Sequence, residues 1–330
     1  MATKRNTNIT EVLFPVEQQP VYAISGMLKP VRFNNSSLNE IKYVEIPNFS
    51  AIVDIERRHV FAVVSENYRL FTNQQAIELG EQCFRSVFTS TIAVEMTVYN
   101  ITMPKTRSFC HIDYVHPKGG FDPWKDDTWT PFLRVTNSYN RMKPLSFDLG
   151  FCRGICTNGV IFGKKSITFR YLHTFGDIPR TVTFETSFGD LKSFEAQFIE
   201  KLRNLKRYFV PPEFMLPIAC RVFSIHVEDN LPKKSKRYET LAIFRDQVAA
   251  LTDKYFKELG TNGYAALNVI TEIASRPMHT ISPAAMVDQF QKRSGDWADD
   301  FIGNVQNANF DFEEYLGDAL RVSGILRDVA

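Results

Sequence analysis

Phe132-Leu-Arg-Val-Thr-Asn-Ser-Tyr139 and Leu145-Ser-Phe-Asp-Leu-Gly-Phe-Cys152 are the two stretches that decide the fold. Each is short and rich in β-branched and aromatic residues, and each is flanked by Pro, Asn or Gly, which is the pattern of a strand. In the first, strand geometry sets Arg134, Thr136 and Ser138 on one face and Leu133, Val135 and Asn137 on the other. Working outward, further strands are expected at 107–115, 160–172 and 180–188, with alternation at Ile92, Val94, Met96 and Val98. Asn158-Gly159 is a strong hairpin signal. Residues 116–131, with Pro, Gly, Asp and Trp, read as a long loop. Toward the N-terminus, Ile41–Ile46 and Ala51–Ile55 lead through a charged turn, Glu56-Arg57-Arg58, into Val60–Val64. Thr72 with Gln75 then opens a helix as a capping box.

The second half changes period. Leu191, Phe194, Phe198, Leu202, Leu205 and Phe209 recur at helical spacing until Pro211-Pro212. Leu241, Phe244, Val248, Leu251, Tyr255 and Leu259 mark a second long helix that ends at Gly260. Shorter helices are expected at 264–275, 283–292, 296–305 and 311–327. Strands followed by helices, without βαβ alternation, predict an α+β fold with a mainly antiparallel sheet and a helical layer packed on it. The expected organisation is an extended or poorly ordered N-terminal arm over 1–40, a β-rich domain over 41–189, and a helical region with an acidic C-terminal segment over 190–330.

Composition fits a packed chain. Hydrophobic residues make up 44% and charged residues 23%, and the 28 Phe favour sheet packing. No stretch is long and apolar enough to span a bilayer, and the basic start has no apolar run behind it, so a cytoplasmic location is expected. Five scattered Cys suit reduced thiols.

The net charge of +2 hides an uneven distribution. Residues 134–170 carry Arg134, Arg141, Lys143, Arg153, Lys164, Lys165 and Arg170 against Asp148 alone. Residues 201–257 are also basic, with Lys201, Arg203, Lys206 and Arg207 at a helix end and Lys233-Lys-Ser-Lys-Arg237 in a loop. Residues 288–330 are acidic, with Trp297, Asp299, Asp300, Asp311, Glu313 and Glu314. Such asymmetry speaks to partners.

Four segments resemble a known family. These are the hairpin-to-helix stretch from Ser50 to Ala76, the strand Leu133-Arg-Val-Thr-Asn-Ser-Tyr-Asn140, the element Arg153-Gly-Ile-Cys-Thr-Asn-Gly159 and the helix Asn262-Gly-Tyr-Ala-Ala-Leu-Asn-Val-Ile-Thr-Glu272. Their order over 50–275 resembles the phage- and plasmid-type domain of unknown function number 932. The family usually has Asp-Gly-Ser after the Asn-Ser-His/Tyr element, where this chain has Asn140-Arg-Met-Lys143. The resemblance implies phage, prophage or plasmid origin and supplies no known activity.

For function, the seven cations of 134–170 on a sheet with Phe132, Tyr139, Phe162, Phe169 and Tyr171 suit electrostatic capture of a polynucleotide with base stacking, as in recombination or strand annealing. The plain alternative is a solvated basic sheet face over an aromatic core. A second class of reading is a mobile-element protein that modulates a host system by protein–protein contact through the acidic segment, with room for a homo-oligomer. That segment would otherwise lie on the basic patch or form an ordinary helical surface. His111, Asp113, His116, Asp122, Asp126 and Asp127 hold metal-ligating groups without a fixed third ligand, so ordinary polar roles are expected. Cys152 and Cys156, with His173, lack the second pair of a zinc site. No Walker loop, G-x-G-x-x-G or G-x-S-x-G is present, so no catalytic residue, cofactor or metal is expected.

Overall fold

The structure is a computed structural model that describes residues 7–24, 43–87, 96–116, 119–154, 159–161, 168–171, 191–228, 235–275 and 286–327. The expected strand at 180–188, together with Asn158, lies outside them.

Two antiparallel sheets form the first half. The smaller joins β1 (Val16–Ile24), β2 (Tyr43–Asp54) and β3 (His59–Ser65) in that order. Asp54 accepts the Arg57 N–H at 3.0 Å and Arg58 takes a positive φ, which closes the charged turn between β2 and β3. Part of the expected N-terminal arm is therefore a strand: Val16–Pro20 and Tyr22–Ile24 pair with β2.

The larger sheet contains β4 (Thr97–Thr102), β5 (Phe109–Val115), β6 (Phe121–Trp124), β7 (Asp127–Ser138), β8 (Leu145–Arg153), β9 (Gly159–Val160) and β10 (Thr168–Tyr171). Its path is β10-β8-β7-β5-β4, with β6 added to β7 and β9 to β8. The alternation expected for β7 and β8 holds. Leu133 and Val135 face Leu149 and Phe147 across the strands and pack under helix α1 (Asn73–Val87). Gly80 allows this approach, since a Cβ there would come within 2.5 Å of the Val135 side chain. The capping box forms as read. The Thr72 amide donates to the Gln75 side chain at 3.0 Å and the Gln75 amide donates to the Thr72 hydroxyl at 3.2 Å.

The helical half runs α2 (Leu191–Arg207), α3 (Met215–Phe223), α4 (Lys236–Leu259), α5 (Gly263–Ser275), α6 (Val287–Val305), α7 (Phe312–Leu316) and α8 (Asp318–Arg327). Phe198 of α2 stacks on Phe151 of β8 with centroids 4.1 Å apart, joining the helices to the sheet. Helix α5 is buried almost throughout, so it is the axis of this layer.

Three expectations are corrected. Residues 116–131 are not one loop. Phe121–Trp124 and Asp127–Trp129 form a hairpin turned at Asp126, whose φ is +66°, and burial of Trp129 fixes it. Residues 287–305 are one helix, because Phe290, Trp297 and Phe301 bury on one side and outweigh the ~1 kcal/mol cost of Gly295 inside it. Conversely, 311–327 is two helices, broken at Gly317 with φ of +50°.

Candidate functional site

The seven predicted cations do not share one face. Arg134 pairs across the ladder with Asp148, and Arg153 with Trp129. Residues 129 and 134 lie an odd number of positions apart in β7, so the two arginines project from opposite faces of the sheet. Both are internal, at 1% and 2% exposure. Arg134 grips Asp113 of β5 with two nitrogens, at 2.6 and 2.8 Å, and gives its third to Gln291 of α6 at 2.6 Å. Arg153 donates to Asp127 at 2.7 Å, to Asn268 of α5 at 3.3 Å and to Glu258 of α4 at 3.4 Å. All three guanidinium nitrogens of each residue are thus engaged inside the protein.

The expectation of one exposed cationic groove through Arg134 and Arg153 is corrected on this point. A guanidinium that loses water must find carboxylates within the fold. Lys143 joins the same internal network through Asp288 at 2.5 Å. Arg141 sits exposed in the turn after β7, with a positive φ. Lys164 and Lys165 lie outside the described residues. Arg170 pairs with Ser146 through β10, and only its backbone is described.

The network continues around His111. Its Nδ1 lies 2.8 Å from the Thr136 hydroxyl and its Nε2 3.7 Å from Asp288, while Lys292 pairs with Asp148 at 2.8 Å. Burial pushes the His111 pKa well below the ordinary imidazole value. The Asp288 carboxylate opposes that shift, and Arg134, Lys143 and Lys292 add to it. For Asp288, burial favours the neutral acid, but His111, Lys143 and Arg134 prevail and bring its pKa to about 2. The start of the acidic C-terminal segment therefore lies back on the sheet. Its Trp297 is buried and Asp299 pairs with Lys201 of α2 at 2.6 Å.

The remaining candidates do not gather into one place among the described residues. His111 and Asp113 do share a face, but among the described residues no group of three ligating side chains gathers for a metal. Asp122 accepts from Thr128 at 2.5 Å, and Asp127 also accepts the Tyr264 hydroxyl at 2.6 Å. Cys152 is buried and donates to the Thr130 carbonyl, while Cys156 and His173 lie outside the described residues. Lys206 lies 4.2 Å from the Trp124 ring centroid, and Arg207 donates to Asn204. Arg203 is exposed. Of the cluster expected in a loop, Lys233 and Lys234 lie outside the described residues, whereas Lys236 and Arg237 open helix α4 after the Ser235 cap, and Arg237 donates to the His226 carbonyl. The motif Asn137-Ser-Tyr139 is architectural. The Tyr139 hydroxyl accepts the Asn73 amide at 2.8 Å, Asn137 donates to the Asn73 side chain at 2.9 Å, and Ser138 ties the following turn to Lys143. Together they set the start of α1 and the turn after β7.

What sequence reading passed over is the first strand of the small sheet and the apolar surface that the sheet exposes. Tyr22, Ile24, Tyr43, Val44, Phe49, Val60 and Val63 are each exposed, from 41% at Ile24 to 68% at Tyr43. Beyond Val16, no described residue of β1 is buried, nor is any of 43–49 in β2, so this two-stranded end stands clear of the core. Ile24 pairs with Tyr43 and Ala23 with Val44, which puts apolar groups on both faces. Among the described residues no strand pairs with the outer edge of β3, His59-Val-Phe-Ala-Val-Val-Ser65, which carries no acid, Lys or Arg. The signal in the sequence was this uncharged apolar run, since edge strands that stay solitary usually carry charge or Pro.

Fold and surface define an α+β protein with two antiparallel sheets, a helical layer locked to the larger sheet by internal ion pairs, and a smaller sheet with exposed apolar side chains. The chain matches no protein-family model, no curated protein and no solved structure. Among the described residues no helix is long and apolar enough to cross a membrane.

Proposed function

We propose that this protein works by binding another protein through its three-stranded sheet, without turning over a substrate. One observation carries the reading: seven large apolar side chains stand exposed on that sheet, at a strand end clear of the core and along an uncharged edge. Concentrated apolar exposure marks interaction surfaces, and an open strand edge offers backbone hydrogen bonds to an incoming strand. A two-stranded ribbon is at best marginal alone in water, so a partner that covers it would also stabilise it. The motif resemblance to phage- and plasmid-type chains suits a factor that modulates a host system. A polynucleotide is the weaker reading, because Arg134 and Arg153 spend their donors inside the fold.

A photo-crosslinking residue placed at Val44 or Val63 tests this in the cells that encode the protein. Discrete protein adducts are expected at both positions and none at the still more exposed Met142, and Val60→Asp with Val63→Asp should remove them. Absence of adducts at 44 and 63, or equal yield at 142, refutes the proposal.

A further inference from the structure

The helical layer holds a cavity of about 490 Å³ between the end of α3, the first turns of α4 and the start of α6. That volume lies within the range of small-ligand sites, ~300–1,000 Å³. Its wall is apolar: Phe223 and Phe290, with ring centroids 4.9 Å apart and edge to face, together with Leu241. Its rim carries two cations, Lys236 and Arg237, beside His226. No Asp or Glu is among its described lining residues. This sets the rim apart from the cations that join the helical layer to its surroundings. Arg134, Lys143, Arg153, Lys201, Arg221 and Lys292 all have carboxylate partners, whereas Lys236 and Arg237 have none among the described residues. Among the described residues Arg237 makes one side-chain hydrogen bond, to the His226 carbonyl at 2.6 Å, which fixes the rim and leaves donors over. Both cations stand on the first turn of the 24-residue helix α4, whose positive end adds to their field. The turn below is held in place as well. Ser224 adopts a left-handed conformation, with φ of +50°, and Arg293 donates to its hydroxyl at 3.0 Å.

An apolar wall under cations with no carboxylate partner among the described residues selects a ligand with the opposite arrangement. We infer that this cavity binds a carboxylate attached to an apolar group, with the carboxylate at Lys236 and Arg237 and the apolar group against Phe223, Leu241 and Phe290. A free aliphatic acid and the C-terminal carboxylate of a peptide ending in Leu share this chemistry. The site is separate from the three-stranded sheet and does not depend on the reading of that surface.

Isothermal titration calorimetry of the full chain tests the inference with decanoate and decyltrimethylammonium, both below micelle formation, and with acetyl-Ala-Leu as acid and as amide. Saturable one-to-one binding of decanoate is expected, at least tenfold tighter than the cationic analogue. Lys236→Glu with Arg237→Glu should weaken it at least tenfold, and so should a change from 50 to 500 mM salt. If the dipeptide acid binds more tightly than decanoate, the source is a chain terminus; if decanoate leads, it is a free acid. No saturable binding by either acid, or equal binding of the cationic analogue, overturns the inference. A folded double variant that binds like wild type does the same. Should the double variant fail to fold, the salt dependence and the cationic control decide.

Discussion

Arg134→Met is expected to lower the free energy of unfolding by ~3–5 kcal/mol, the cost of removing one partner from a buried ion pair. The substitution strands the Asp113 carboxylate, which is 6% exposed, and takes the donor from the Gln291 side chain. Packing loss is small by comparison, because Met fills much of the arginine volume. The double variant Arg134→Met, Asp113→Leu should recover most of the loss, since no charge is then left unpaired. Urea unfolding of the two variants against wild type checks this. A single-variant loss of under ~0.5 kcal/mol, the usual size for a surface site, would place Arg134 in solvent instead.

Acid should weaken the junction between sheet and α6 in two steps. The folded-state pKa of His111 is lowered, so between that value and the ordinary ~6.5 the unfolded chain holds a proton that the folded protein does not. Stability from this group is fully present above about pH 6.5 and falls as pH drops below it, with a limiting slope of about 1.4 kcal/mol per pH unit. Asp288, at about 2, adds its own loss below its ordinary value of 3.8. Protonated His111 would also sit beside Arg134, Lys143 and Lys292, with Asp288 as the nearby carboxylate. The urea midpoint of wild type should therefore fall from pH 7 to pH 5. His111→Gln should flatten that interval and keep the fall below pH 4. A flat wild-type profile from 7 to 5, or an unchanged slope in His111→Gln, contradicts the assignment.

The sheet was legible because alternation is a local property. Leu133, Val135, Phe147 and Leu149 announce one buried face whatever lies above the other. The capping box at Thr72 was legible for the same reason. The fate of the cations was not, because charge counted along a chain ignores what meets across strands. Asp113, twenty-one positions before Arg134, lay outside the counted block, yet it stands directly opposite in the ladder. Asp288 and Gln291 come from a helix far along the chain. One clue was available: a central strand as apolar as Leu145–Arg153 asks for cover on both faces, and the helical half had to supply it. Charges on such a strand must then be paired. Gly295 and Gly317 show the limit of local signals, since only packing decides that the first is carried within a helix and the second ends one.

Arginine-selective modification by phenylglyoxal, read by peptide mass spectrometry on the folded protein, addresses the internal placement of the cations most directly. Arg58 and Arg141, both exposed, should react readily, while Arg134 and Arg153 react only after unfolding. Modification of Arg134 or Arg153 at the rate of Arg141 in folded protein would mean that these guanidinium groups face solvent, and would return them to the binding surface.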